Sequence, residues 1–192
     1  MITLDNVTVG YGKKAVVRDV TFTVKKGQAA VLVGENGSGK STLMAAVAGA
    51  LPLQGGSVRL GGRVAYIPQG SGLMEELTFA DNLRFFAALA GAQPPKTLPM
   101  GADALLKTRV RDMSGGMKKL CSIVCALVSK PDILLLDEPC AALDAAHKKL
   151  LCEQLCALKA QGVTLLYIGH EEGEYAPFAD LLLTVDETVR VL

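Results

Sequence analysis

The run Gly34-Glu35-Asn36-Gly37-Ser38-Gly39-Lys40-Ser41-Thr42 constrains this chain more than any other feature. It fits G-x-x-x-x-G-K-[ST], follows the apolar stretch Ala29–Val33 and opens a helical stretch from Lys40 to Ala48. Strand, glycine-rich turn and helix in that order make a loop whose backbone N–H groups converge on phosphate oxygens without Cβ clashes. The helix adds its positive N-terminal end. In such a loop the lysine, Lys40, reaches the β- and γ-phosphates of a nucleotide, and the hydroxyl of Ser41 ligates Mg²⁺. A chance glycine-rich turn would not have both the strand before it and the helix after it.

A second feature supports the first. Ile133-Leu134-Leu135-Leu136 reads as a buried strand, and it ends in Asp137-Glu138. Acids at the C-terminal end of a core strand stand where α/β sheets bind ligands. Asp137 is expected to hold Mg²⁺ through water, and Glu138 to orient and polarise an attacking water. Two such carboxylates alone would mean little; beside a phosphate loop they imply hydrolysis.

The rest of the pattern is α/β. Thr3–Val9 and Val20–Val24 alternate apolar and polar residues as half-buried strands do. Ser57–Leu60 and Val64–Ile67 flank Gly61-Gly62, which reads as a hairpin. From Thr78, a candidate helix cap, the period becomes helical, with Leu83, Phe86, Ala87 and Ala90 on one face. Gly91 to Gly101 is linker-like, and Ser114 to Ser129 helical. Strand 133–136, helix 145–161, strand 163–168 and terminal strands 181–185 and 189–192 follow. The expectation is one domain: a P-loop core (about residues 1–71 and 126–192) with a parallel central sheet, an N-terminal antiparallel β subdomain, and a helical insert over about 72–125.

Composition sets limits. A chain of 192 residues holds one sizeable domain, and 20 Lys+Arg against 19 Asp+Glu give no global attraction to nucleic acid. No stretch approaches the roughly 18 apolar residues of a membrane span; the longest runs are Leu43–Leu53 and Phe85–Ala92. The opening Met1-Ile2-Thr3-Leu4-Asp5 lacks the pattern of a secretory signal, so a cytoplasmic location is expected. Cys121/Cys125 and Cys152/Cys156 are spaced i,i+4. They lie in apolar helical patterns and read as packing residues rather than as metal ligands.

Ser114-Gly115-Gly116-Met117 then brings in a resemblance that covers essentially the whole chain. It looks like the signature motif of ABC-type ATPases, in its usual place between the phosphate loop and Asp137-Glu138. Tyr11 matches the aromatic residue that stacks on adenine, and Gln69, in Ile67-Pro68-Gln69, the Q-loop glutamine, a further candidate on Mg²⁺. Ala142-Leu143-Asp144 matches the D-loop, and His170 the switch histidine. The resemblance implies MgATP as ligand and a head-to-tail dimer, homo- or heteromeric. Each ATP would lie between one subunit's phosphate loop and the other's Ser114–Gly116. It also implies a separate membrane subunit, docked near Gln69–Phe86, that places the chain on the inner face of the membrane. Lys118 and Lys119 after the signature look most like exporter ATPases.

Departures are Met117 where many members have Gln, Gly169 where Ser or Thr is common, and the bare Gly61-Gly62 connection. Met117 offers a flexible apolar chain that can pack against the partner subunit. A soluble assembly ATPase stays open as the alternative; a generic P-loop kinase would not explain Ser114–Gly116 or His170.

Overall fold

In a computed structural model, residues 1–186 and 188–191 are described. Two sheets form. The first is antiparallel, of β1 (Ile2–Tyr11), β2 (Lys14–Val24) and β4 (Leu53–Leu60) in the order β2-β1-β4. The second is built on β3 (Ala29–Val33), β5 (Val64–Ile67), β6 (Ile133–Asp137), β7 (Thr164–Ile168), β8 (Leu181–Asp186) and β9 (Thr188–Val191), in the order β5-β6-β7-β3-β8-β9. Every pairing in it is parallel except β8 with β9. Of the expected last strand, Leu192 lies outside the described residues.

The central strands are apolar throughout because both their faces are covered. Ala30, Leu32, Leu135, Leu166 and Ile168 pack toward β1, β2 and helix α1 (Lys40–Val47). Their neighbours Val31, Leu134, Leu136, Leu165 and Tyr167 point the other way, toward helices α3 (Gly115–Leu127) and α4 (Ala145–Ala160). This period of two puts a continuous core on each side of one sheet. A separate cluster, from Leu73, Phe79 and Leu83 to Leu120, Val124 and Val128, unites helix α2 (Phe79–Leu89) with α3. The short helix α5 (Glu172–Tyr175) follows β7.

One expected element is corrected. Gly61-Gly62 is not a hairpin turn: β4 pairs with β1 (Ile2↔Leu60), whereas β5 pairs with β6 (Val64↔Ile133). The glycines carry the chain from one sheet to the other. Backbone and side-chain contacts with Asp132 fix the entry: Arg63 N–H donates to Asp132 Oδ2 at 2.9 Å, and Arg63 O accepts from Asp132 N and Ile133 N. Turn chemistry alone cannot tell which sheet receives the next strand. β2 also begins earlier than its alternation suggested, at Lys14, drawn into register by β1 (Tyr11↔Lys14).

A helix cap and a buried amide hold the helical region. Thr78 Oγ1 accepts from Asp81 N at 3.2 Å, an N-cap read correctly from the sequence. Behind it Asn82, fully buried, accepts from Met74 N (2.8 Å) and donates to Met74 O and Thr78 O (both 3.0 Å). It thereby pins the segment before α2 to the helix. Cys121 and Cys125 are also buried here, and burial pushes both thiols up to about 12, so they pack as neutral side chains. Asn82→Leu is expected to destabilise by about 2–3 kcal/mol because it strands the Met74 backbone polar groups. Thr78→Ala should cost about 1 kcal/mol. Urea denaturation of both variants checks the order; a smaller loss for Asn82→Leu would contradict the pinning role.

Candidate active site

The site forms where β3, β6 and β7 release the chain at one edge of the sheet. β3 ends at Val33, and residues 34–39 turn into α1 through Gly39, whose φ of 101° is left-handed. A Cβ there would come within 2.4 Å of Val17 Cγ2, so only glycine closes this turn against β2. Lys40 is 5% exposed, and its Nζ donates to Gly34 O (2.9 Å) and Glu35 O (2.7 Å). The ammonium thus braces the loop from inside. Ser38 Oγ is buried and has no hydrogen-bond partner among the described residues. A buried orphan hydroxyl in a glycine-rich loop that leads into a helix N-terminus suits an anionic ligand.

β6 delivers the carboxylates. Asp137 is 2% exposed and its Oδ1 accepts from Ser41 Oγ at 3.1 Å. Burial raises its pKa; the Ser41 hydrogen bond opposes this, Glu138 adds to it, and Lys119 and Lys40 pull it down. A hydroxyl and a buried carboxylate converging on one point are hard oxygen donors, the set that Mg²⁺ takes, and the residues fit that ion. Glu138 follows with φ 47°, a left-handed backbone unusual for a residue with a Cβ.

Both oxygens of Glu138 are engaged. Gln69 Nε2 donates to Oε2 at 3.1 Å, and His170 Nε2 lies 2.8 Å from Oε1. His170 is the donor of this contact in the tautomer that carries its proton at Nε2. Gln69 arrives just past the end of β5 and His170 just past the end of β7. Residues separated by up to 101 positions in sequence (69 to 170) therefore meet on one side chain. A cleft of about 320 Å³ is lined by Tyr11, Asn36, Gly37, Lys40, Ser41, Thr42 and Glu138. Tyr11, at the end of β1, is 62% exposed on its rim. A larger cavity, about 900 Å³, opens at the opposite strand ends beside Lys26, Asp132 and Val163 and gathers none of these residues.

Ser114, Gly115, Gly116 and Asp144 are not in this cluster. Ser114 caps α3, accepting from Met117 N at 3.2 Å, and Asp144 caps α4, accepting from His147 N at 2.9 Å. Among the described residues, no hydrogen bond joins them to residues 34–42. The Ala142-Leu143 turn that precedes Asp144 lies against Gly116, where a Cβ would stand 2.6 Å from Ala142 O. Met117 is partly buried against the α2–α3 cluster of its own chain.

The region expected to receive a membrane partner has a groove of about 320 Å³, with Pro68, Ser71, Leu73, Phe86 and Leu89 among its lining. Phe79 is fully buried in the helical core and does not line it, and Phe85 is exposed. Sequence reasoning missed Lys119. Only 4% exposed, it donates from Nζ to Pro68 O (2.8 Å) and Gln69 O (2.9 Å). Burial lowers its pKa, while Asp137 and Glu138 hold it up. Its i,i+4 relation to the buried Ile123 was the available signal that it faces inward.

The sequence profile of the ABC transporter family matches residues 17–141. The chain belongs to the ABC transporter family. Within it, the chain is of the ATP-binding kind. It is similar to the linearmycin resistance ATP-binding protein of Bacillus subtilis, 29% identical over 97% of this chain and 67% of that protein. A Nod factor export ATP-binding protein I of Burkholderia orbicola is 34% identical over 95% and 66%. The chain thus spans about two thirds of the length of both relatives. Among solved structures, the ATP-binding subunit of an ABC transporter superposes with a TM-score of 0.91 at 28% identity, covering 98% of this chain and 88% of that one. A dimeric ATP-binding cassette bound to ADP and Pi shares the fold, with a TM-score of 0.87 at 20% identity, over 100% and 98% of the two chains.

As an ABC ATPase the chain departs from the usual Ser or Thr at Gly169, and packing supplies a reason. A Cβ there would meet Tyr167 Cε1 at 2.4 Å, and the Tyr167 ring is fully buried, with its hydroxyl 3.3 Å from Cys140 Sγ. Gly169→Ser is therefore expected to cost about 1–3 kcal/mol through overpacking. With Tyr167→Leu in the same chain the serine should cost about 1 kcal/mol less, a coupling readable in a double-mutant thermal-denaturation cycle. Simple additivity would rule out the ring as the cause.

Proposed function

We propose that this chain binds MgATP on Gly34–Thr42 and hydrolyses it with Glu138 and His170, as the motor subunit of an exporter. The observation that carries the reading is the meeting of Gln69 and His170 on Glu138, next to the Ser41–Asp137 pair. In this reading Tyr11 stacks on the adenine, the N–H groups of residues 34–39 bind the phosphates, and Lys40 turns from the loop carbonyls to the β- and γ-phosphates. Ser41, Asp137 and Gln69 hold Mg²⁺, directly or through water. Bound there, Mg²⁺ supplies positive charge to the phosphate oxygens.

Glu138 orients a water against the γ-phosphorus and accepts its proton as the new P–O bond forms. The bond to the β-phosphate oxygen breaks, and ADP keeps that electron pair. His170, donating from Nε2, keeps the Glu138 carboxylate aimed and steadies the γ-phosphate. The residues held apart from this cluster complete a second subunit's site. Ser114, Gly115 and Gly116, at the N-terminus of α3, offer N–H groups to the partner's γ-phosphate, with Asp144 beside them.

We read residues 72–125 as a helical subdomain on a core of 1–71 and 126–192. A short helix of a separate membrane subunit docks in the groove beside Pro68, Phe86 and Leu89. Support comes from the export named for the Nod factor relative and from the dimer described for the ADP- and Pi-bound cassette. In the described residues no helix is long and apolar enough to cross a membrane. The chain would therefore sit on the cytoplasmic face through its partner.

Glu138→Gln should keep nucleotide affinity and slow hydrolysis roughly 10²-fold or more, the size of a lost general base. Lys40→Ala should instead remove nucleotide binding. Steady-state ATPase assays and titration with a fluorescent ATP analogue separate the two effects. Wild-type turnover in Glu138→Gln would assign the water to another residue.

A further inference from the structure

Lys118 and Lys119 stand next to each other on α3, and the helix turns their side chains about 100° apart. The two ammonium groups consequently meet different environments. Lys118 Nζ pairs with Glu75 Oε1 at 2.7 Å on the surface, where Glu75 is more than half exposed. Such a pair contributes little. Lys119 lies inside, its Nζ shared between the carbonyls of Pro68 and Gln69. A buried ammonium is costly unless its donors are used, so its position is set by those two acceptors.

The two carbonyls lie just beyond the β5–β6 ladder, which ends at Ile67↔Leu136. There the chain leaves the sheet and needs another anchor. Lys119 supplies one, from a helix that belongs to the other half of the molecule. The next contact in the series is the Gln69 side chain on Glu138 Oε2. At the start of α3, five residues before Lys119 and about 7–8 Å along the axis, stands the Ser114 cap. A continuous line of contacts thus runs from Ser114 through the rigid helix to Lys119, the Gln69 backbone, the Gln69 amide and Glu138.

We propose that Lys119 is a positioning residue that ties the Pro68-Gln69 backbone to the signature-bearing helix and so sets where Gln69 holds Glu138. Occupation of Ser114–Gly116 by a second subunit's nucleotide is then felt at the water-orienting carboxylate of the same chain. This rests on the ATPase reading above. The link itself is a feature of the nucleotide-free protein and is measurable without turnover.

The test compares Lys119→Met, Lys119→Gln and Lys119→Arg with Lys118→Met in the full chain. Amide hydrogen exchange over residues 69–73, without nucleotide, reads the link. Steady-state kinetics and binding of a fluorescent ATP analogue read its consequence. Lys119→Met is expected to speed exchange in that segment and to lower kcat about tenfold or more, with nucleotide affinity kept within about threefold. Lys119→Arg, which keeps charge and a fork of donors, should recover most of both losses. Lys118→Met should stay within about threefold of wild type throughout.

Wild-type exchange over 69–73 in Lys119→Met would overturn the proposal. So would a fall in kcat matched by equal losses in nucleotide affinity and melting temperature, with no recovery in Lys119→Arg, since that is the pattern of a merely structural lysine. If Lys119→Met does not fold, Lys119→Gln is read by the same criteria. A wild-type chain that binds ATP without hydrolysing it would defeat the ATPase reading instead, and the exchange comparison would still decide the link.

Discussion

Three parallel strands, β3, β6 and β7, are buried on both faces, and almost everything at the candidate site follows from that constraint. A strand so covered can carry polar side chains only at its ends, unless each finds a partner inside. Tyr167 does, with its hydroxyl on Cys140 Sγ. Asp137 does, with Ser41, but only as the last residue of its strand. The polar chemistry is consequently pushed to the edge where the parallel strands all end. The phosphate loop, Asp137-Glu138, Gln69 and His170 emerge there together. The apolar runs that look merely structural are what bring the distant polar residues into one place.

Three charged groups are then drawn nearly out of solvent: Lys40, Lys119 and Asp137 are 5%, 4% and 2% exposed. Each would be prohibitive alone, and each has a different remedy. Lys40 is taken up by loop carbonyls, Lys119 by the carbonyls after β5, and Asp137 by a hydroxyl with both ammonium groups in range. Removing either lysine would leave Asp137 less well compensated. The loop over residues 34–39 and helix α3 therefore share an electrostatic interest in the same carboxylate, although no backbone element joins them.

Much of this was legible beforehand, and the illegible parts have physical reasons. Gly34–Ser41 and Ile133–Glu138 could be placed because local sequence dictates their geometry: glycines where the loop backbone takes positive φ, at Gly34, Gly37 and Gly39, and an apolar run ending in acids. The Thr78 cap was readable for the same reason. Gly61-Gly62 was not, because a glycine pair permits a reversal without saying whether the following strand stays in the same sheet. Phe79, Phe85 and Phe86 look alike in sequence, yet one is core, one is exposed and one lines a groove. Only the tertiary position of α2 separates them. Lys119 was hidden behind its charge, since a lysine is ordinarily assigned to solvent. Gln69 and His170 could be matched to motifs, but not to a shared contact on Glu138, which exists only once β5, β6 and β7 are side by side.

Glu138 brings these threads together. Its left-handed backbone, φ 47°, costs of order 1–3 kcal/mol for a residue with a Cβ, and Pro139 after it narrows the choices further. Such a conformation persists only where its surroundings over-determine it. Here β6 fixes the approach, and the donors from Gln69 and His170 fix both oxygens. Relaxing the backbone into the ordinary strand region would carry the carboxylate away from both. The strain is therefore held by contacts that come from three separate strands, and any movement of the loops after β5 or β7 acts directly on the direction in which Glu138 points.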